Sequence, residues 1–224
     1  MSLAHSQLTG GLFIPDNPPG TISSKLSSAQ ITEIGRLATG WRHFQLHSDS
    51  PLLKEPDIGR QRFTYDFVSR ESGNRLMLVA THRDLIDHFF DKIGWRYVRP
   101  RINVPGIVQE LSENPEQYSM SKLWARIEGF GQAMTSIAIY GRDLSAADPF
   151  YTLLPFLGSY RVGLRHVSKH ADVLEVSARG DVGFTFVNVG SLRLVDNALR
   201  FLSGRGYIEW PDSAMASNRY RNVD

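Results

Sequence analysis

The sequence predicts an α+β fold: antiparallel hairpins with several amphipathic helices packed on them, preceded by a flexible N-terminal arm. Three observations predict it. Phe63, Tyr65 and Phe67 alternate with Thr64 and Asp66, the period of a half-buried strand. Leu85, Ile86, Phe89, Phe90 and Ile93 recur three and four apart, the period of a helix. Hairpins and separated helices, in place of regular strand–helix alternation, argue against a parallel α/β sheet.

The elements follow in order. Residues 1–27 are rich in Gly, Pro and Ser and read as an arm, with Leu12-Phe13-Ile14 able to pin it to the body. Ser28 reads as a cap for a helix carrying Ile31, Ile34 and Leu37, stopped by Gly40. Trp41 to Leu46 follows as a short strand, and 49–59, with Pro51 and Pro56, as a loop. Residues 62–80 read as a hairpin turning at Glu71-Ser72-Gly73-Asn74. Thr81 then caps a helix, with Asp84 placed to reach back to its start. Pro105 opens a short helix toward Leu111.

Residues 119–140 admit two structures. Met120, Leu123, Trp124, Ile127, Phe130, Met134, Ile137 and Ala138 fit one long amphipathic helix, the structure expected for this stretch. Gly129 and Gly131 oppose it, each costing about 1 kcal/mol relative to alanine. The rival is a hairpin turning at those glycines, with strands at 122–128 and 133–140. Beyond it, Asp148-Pro149 starts a helix to Leu157, and 161–167, 173–177 and 182–187 read as strands around the turn Arg179-Gly180-Asp181. Ser191 caps a last helix, 192–202, that Gly204 ends; Tyr207 to Trp210 is a final strand. One domain over 28–212 and a polar tail over 213–224 are expected, with no internal repeat.

Composition bounds the function. The chain has 224 residues, 42% of them hydrophobic, long enough to bury a core. A net charge of +2 gives no general attraction to nucleic acid, so any such role needs local clustering. With no cysteine there is no disulfide, thiolate metal site or cysteine nucleophile. No apolar run reaches the length of a spanning helix, and the first twenty residues lack the pattern of a signal peptide. A cytoplasmic protein without cofactor or membrane insertion is expected.

The basic residues are unevenly chosen: of 25, only Lys25, Lys54, Lys92, Lys122 and Lys169 are lysine, and the rest are arginine. Arginine grips planar anions with a rigid fork and stacks on rings. Its densest cluster, Trp95-Arg96-Tyr97-Val98-Arg99-Pro100-Arg101, interleaves forks with rings, and Arg219-Tyr220-Arg221 repeats the theme. In an extended segment Trp95, Tyr97, Arg99 and Arg101 share one face. That face suits a protein interface or stacked bases of a single-stranded nucleic acid. The competing structural reading packs Trp95 and Tyr97 into the core and leaves the arginines to pair with acids.

Catalytic signals are weaker. Residues 82–91 gather His82, Asp84, Asp87, His88 and Asp91, donors that suit a divalent ion in a metal-assisted hydrolase. A capped helix with a solvated face explains the same residues. His43/His47 and His166/His170 are four apart but lie outside any zinc-binding motif. No nucleophile elbow or phosphate loop occurs. The expected function is therefore a non-catalytic binding or assembly module. It would act through Trp95, Arg96, Tyr97, Arg99, Arg101, Arg219 and Arg221, on a protein partner or a second copy, with nucleic acid as the alternative.

Overall fold

Antiparallel strands and four helices make up the residues that the structure, a computed structural model, describes: 8–16, 31–37, 40–48, 63–72, 75–127, 136–178, 181–183 and 192–211. The mixed α+β class expected from the sequence holds, with strands in the majority. Among the described residues no helix is long and apolar enough to cross a membrane. The chain divides into two compact units, residues 1–100 with 187–190 and 210–224, and residues 101–186 with 191–209.

The first unit holds β1 (Thr9–Pro15), β2 (Ile31–Arg36), β3 (Arg42–Ser48), β4 (Phe63–Ser72), β5 (Arg75–Ala80), α1 (Arg83–Ile93) and β6 (Tyr97–Val98). Its strands run in the order β2-β3-β4-β5-β1, with β6 also paired to β1. The predicted hairpin is β4–β5, in register from Phe67↔Ala80 to Ser72↔Arg75. Phe13, Phe44, Phe67, Leu76 and Leu78 project from the strands onto Leu85, Ile86, Phe89, Phe90 and Ile93 of α1, and all are buried. Burying each such side chain contributes about 1.5–3 kcal/mol.

Two expectations change here, the helix over 28–37 and the Thr81 cap. The segment expected as a helix over 28–37 contains β2, whose Ile34 is 51% exposed, so Ile31 and Ile34 never share a buried face. Cross-strand pairing with β3 outweighs the local spacing. Of the expected arm, Thr9–Pro15 forms β1, hydrogen-bonded to β5 with Phe13 fully buried; residues 1–7 and 17–27 lie outside the described residues. At the start of α1 the N-cap is His82 and no side chain caps it, so Thr81 does not serve as the cap.

Arg42 shows how this chain spends its forks. Its Nε and Nη2 donate to both oxygens of Glu33, at 3.1 and 2.6 Å, while Nη1 donates to Glu71 at 3.0 Å. The hydrogen bond from Arg42 holds Glu33 below the usual carboxylate range. Burial pushes Glu71 above it, despite the same partner.

The second unit holds β7 (Arg101–Ile102), α2 (Val104–Glu113), β8 (Tyr118–Ile127), β9 (Ser136–Tyr140), α3 (Asp148–Leu153), β10 (Leu157–His166), β11 (Ala171–Ser177), β12 (Asp181–Gly183), α4 (Leu192–Gly204) and β13 (Ile208–Glu209). The strands run β12-β11-β10-β8-β9, and β7 pairs with β13. Asn103 caps α2 by accepting from the Gly106 amide at 3.0 Å. α2 packs on β8 and β10 through Val104, Ile107, Val108 and Leu111, and α4 packs on β11. Tyr118 sits between His166 and Phe201, and burial pushes its hydroxyl up to about 12.

The long helix expected over 119–140 is absent: the rival hairpin forms, as β8 and β9. From Lys122 onward, burial alternates, with Leu123, Ala125 and Ile127 inside and Trp124 and Arg126 outside. That period of two overrides the helical spacing of the larger apolar residues. The turn at Gly129–Gly131 lies outside the described residues. The helix expected to reach Leu157 stops at Leu153, a short 3₁₀ turn carries Pro155, and Leu157 opens β10. Arg179-Gly180, Ser191, the strand beyond Gly183 and the tail lie outside the described residues.

Both units close alike. Past α1, Gly94 takes φ 65° and donates to Asp91 O at 3.2 Å, while Trp95 N–H reaches Phe90 O at 3.1 Å. Past α4, Gly206 takes φ 74° and donates to Ser203 O at 3.1 Å, while Tyr207 N–H reaches Leu202 O at 2.9 Å. These are paired Schellman caps, and the second falls at Gly206, two residues beyond the expected stop. Each cap feeds a two-residue strand onto the first strand of its own unit, β6 on β1 and β13 on β7. The correspondence rests on geometry more than on shared letters, so it does not show as a repeat in the sequence.

Candidate binding surface

The arginine–aromatic segment is woven into the first unit. Trp95 is 4% exposed and belongs to its core. The Tyr97 ring stands edge-on to Phe13 at 4.8 Å and lies 4.3 Å from Phe90. Its hydroxyl donates to Asp87 Oδ1 at 3.0 Å, and burial raises its pKa. The Arg99 guanidinium lies 5.2 Å from the Phe13 ring centre and 3.8 Å from Asp87. Arg96 binds Asp16 through its main chain, donating to the carboxylate at 3.2 Å and accepting from the amide at 2.9 Å. Its side chain is exposed, as is that of Arg101, which begins the second unit on β7. Trp95 and Tyr97 thus follow the core-packing reading that the sequence leaves open. Arg219 and Arg221 lie outside the described residues.

The histidine and aspartate residues of 82–91 do not converge. His82, Asp84, Asp87 and Asp91 are exposed along α1, with Asp87 engaged by Tyr97. His88 is partly buried, and burial holds its pKa below the ordinary imidazole value. Among the described residues no cluster of three or more His, Asp or Glu side chains is able to hold a metal ion. His43 and His47 each turn to the neighbouring strand. His43 Nε2 meets Asp66 at 2.7 Å, and His47 Nδ1 meets the Thr64 hydroxyl at 3.4 Å.

Rings and forks do share an open face in the second unit. The register sets Lys122 opposite Tyr140, Trp124 opposite Ala138 and Arg126 opposite Ser136. On the other side Trp124 faces Arg161, and Lys122 faces Gly163, which in turn faces Glu175. Because alternate residues of a strand share a face, all these side chains stand on one side of the sheet. Leu123, Ala125 and Ile127 point the other way and are buried, with Leu123 beside Val108 of α2.

Exposure is concentrated at the β9 margin. Tyr140 is 68% and Trp124 38% exposed, and Ser136, Ala138, Arg126 and Arg161 are exposed beside them. Lys122 lies 5.4 Å from the Tyr140 ring centre and donates to Glu175 at 2.8 Å. Arg161 pairs with the other Glu175 oxygen at 3.0 Å. Gly163 makes that crossing: a Cβ there would stand 3.0 Å from the Cβ of Lys122. One carboxylate therefore orients two cations.

On the opposite side of β8, an open groove of about 350 Å³ is lined by Val108, Leu123, Leu154, Leu157 and Tyr151. The Tyr151 hydroxyl is held by Ser145 O at 2.7 Å and Ser112 O at 2.9 Å. The surface on β8–β10 is hidden in the linear sequence for a definite reason. Read as a helix, 119–140 sets Trp124 on the face opposite Lys122 and Arg126; read as a strand, it aligns all three. The signal was the alternation from Lys122 to Ile127.

No family model matches the chain, and no curated protein matches it either.

Proposed function

We propose that this chain is a non-catalytic binding or assembly module that meets a protein partner through the face of β8, β9 and β10. The observation behind this reading is the exposure of Trp124 and Tyr140 beside Arg126 and Arg161 on one face. Interface hot spots are enriched in these three residue types, and strands hold them with little further ordering to be lost on binding. The surface has the chemistry expected of 95–101, on residues whose rings are open.

Single-stranded nucleic acid is the second reading, favoured by cations flanking two open rings. A photo-crosslinking residue placed at Tyr140 or Ala138, with Arg83 on α1 as control, separates the two in cells. The protein reading expects a discrete protein adduct from 138 and 140 and none from 83. Adducts to nucleic acid alone, or none from either strand position, would refute it.

A further inference from the structure

Among the described residues, β2 stands at one end of the first unit's strand order and β9 at one end of the second's, and these two edges are built differently. β2, Ile31–Arg36, carries Glu33, Gly35 and Arg36, and its pairing slips between Glu33 and Gly35. Charge and a register break are how proteins blunt an edge against further strands. β9, Ser136-Ile137-Ala138-Ile139-Tyr140, has no charge, glycine or proline, and its pairing with β8 is unbroken over all five residues. Every one of its side chains is at least partly exposed. Among the described residues no strand pairs with its outer side, and nothing in its sequence opposes a further strand there.

Its open hydrogen-bonding groups can be assigned. The Gly141 amide donates to Ser121 O at 2.9 Å, so Gly141 faces β8 with its main chain. Residues two apart on a strand point the same way, so Ile139 and Ile137 also face β8. The N–H and C=O groups of Ser136, Ala138 and Tyr140 therefore point outward.

We propose that the occupant of this edge is β9 of a second copy, antiparallel, with the two-fold axis at Ala138. The proposal rests on the reading of the β8–β10 face as an assembly surface. The strand is self-complementary about that axis, as an isologous interface requires. Ala138 opposes its own copy and Ser136 opposes Tyr140, each pair exchanging both N–H···O bonds. Ile137 then meets Ile139 of the other copy in the non-hydrogen-bonded positions, where side chains approach most closely. Across the face, the Tyr140 ring of the second copy lies beside Ser136. That small residue leaves the ring open to Arg126, which has no acidic partner among the described residues. Each Tyr140 would then have its own Lys122 and the Arg126 of the other copy as cationic neighbours.

Light scattering of the purified full chain, across a concentration series, tests this. The expected mass is about twice 25.2 kDa at micromolar concentration. Ala138→Pro removes an outward amide while leaving the bonds to β8, and Ile137→Lys places a charge at the two-fold seam. Both variants, with circular dichroism confirming the fold, are expected to run as monomers. A wild-type monomer throughout the series, or a dimer that survives both variants, overturns the proposal. A monomer that still gives protein adducts from position 140 would end self-pairing and leave the binding reading standing.

Discussion

The Tyr97 hydroxyl donates to the Asp87 carboxylate across 3.0 Å, and that bond joins the two segments that look most functional in the sequence. Asp87 comes from the histidine–aspartate helix, and Tyr97 from the arginine–aromatic cluster. Arg99, 3.8 Å from the same carboxylate and above the Phe13 ring, completes the clasp. Together they fix β6 against α1 and β1.

Tyr97→Phe keeps the ring in the core and deletes the bond. The expected cost is about 0.5–1.5 kcal/mol in urea unfolding, with self-association unchanged. Asp87→Asn removes the charge that Arg99 meets, and the double variant should cost less than the sum. Full additivity would mean that the two groups do not interact in solution.

Stability should fall with mild acid. Burial keeps His88 and His166 below the ordinary imidazole value of 6.5, with Lys92 and Lys169 respectively adding to the effect. As pH falls below 6.5 the unfolded chain gains these protons before the folded chain does, so acid favours unfolding across that window. Glu71, raised by burial, acts in the opposite sense nearer the carboxylate range. The urea midpoint is expected to drop between about pH 7 and pH 5.5, and His88→Gln with His166→Gln to flatten that slope. An unchanged slope in the double variant would assign the loss to other groups.

Gly94 and Gly206 make a matched pair of tests. Each holds a positive φ and donates the bond that closes its helix. An alanine in that conformation costs about 1–2 kcal/mol, so Gly94→Ala and Gly206→Ala should destabilise to a similar extent. Gly204, inside α4, should accept alanine with no loss or a small gain, since nothing lies within 4 Å of a Cβ there. A larger cost at Gly204 than at Gly206 would contradict the assignment of the helix end.

The hairpin β4–β5 and helices α1, α2 and α4 were legible because each shows one period along its length, bounded by turn or cap residues. β2 was not, since Ile31 and Ile34 have helical spacing, and only the partner strand β3 decides otherwise. In 119–140, Met120, Leu123, Trp124 and Ile127 mimic a helical stripe, although Trp124 faces outward and small Ser121 and Ala125 are buried. Residue size misleads there, while alternation does not. The candidate site follows from the same point. Local clustering drew attention to Trp95–Arg101, where the rings serve packing. The open rings and forks of Trp124, Arg126, Tyr140 and Arg161 meet only through strand pairing, which the linear sequence does not display.

Amide hydrogen exchange of β9 at increasing protein concentration is the most direct test of the account. The outward amides of Ser136, Ala138 and Tyr140 should exchange freely in dilute solution and become protected as concentration rises. The inward amides of Ile137 and Ile139, bonded to β8, should be protected throughout. Outward amides that stay equally exposed at every concentration would contradict β9 as the docking edge.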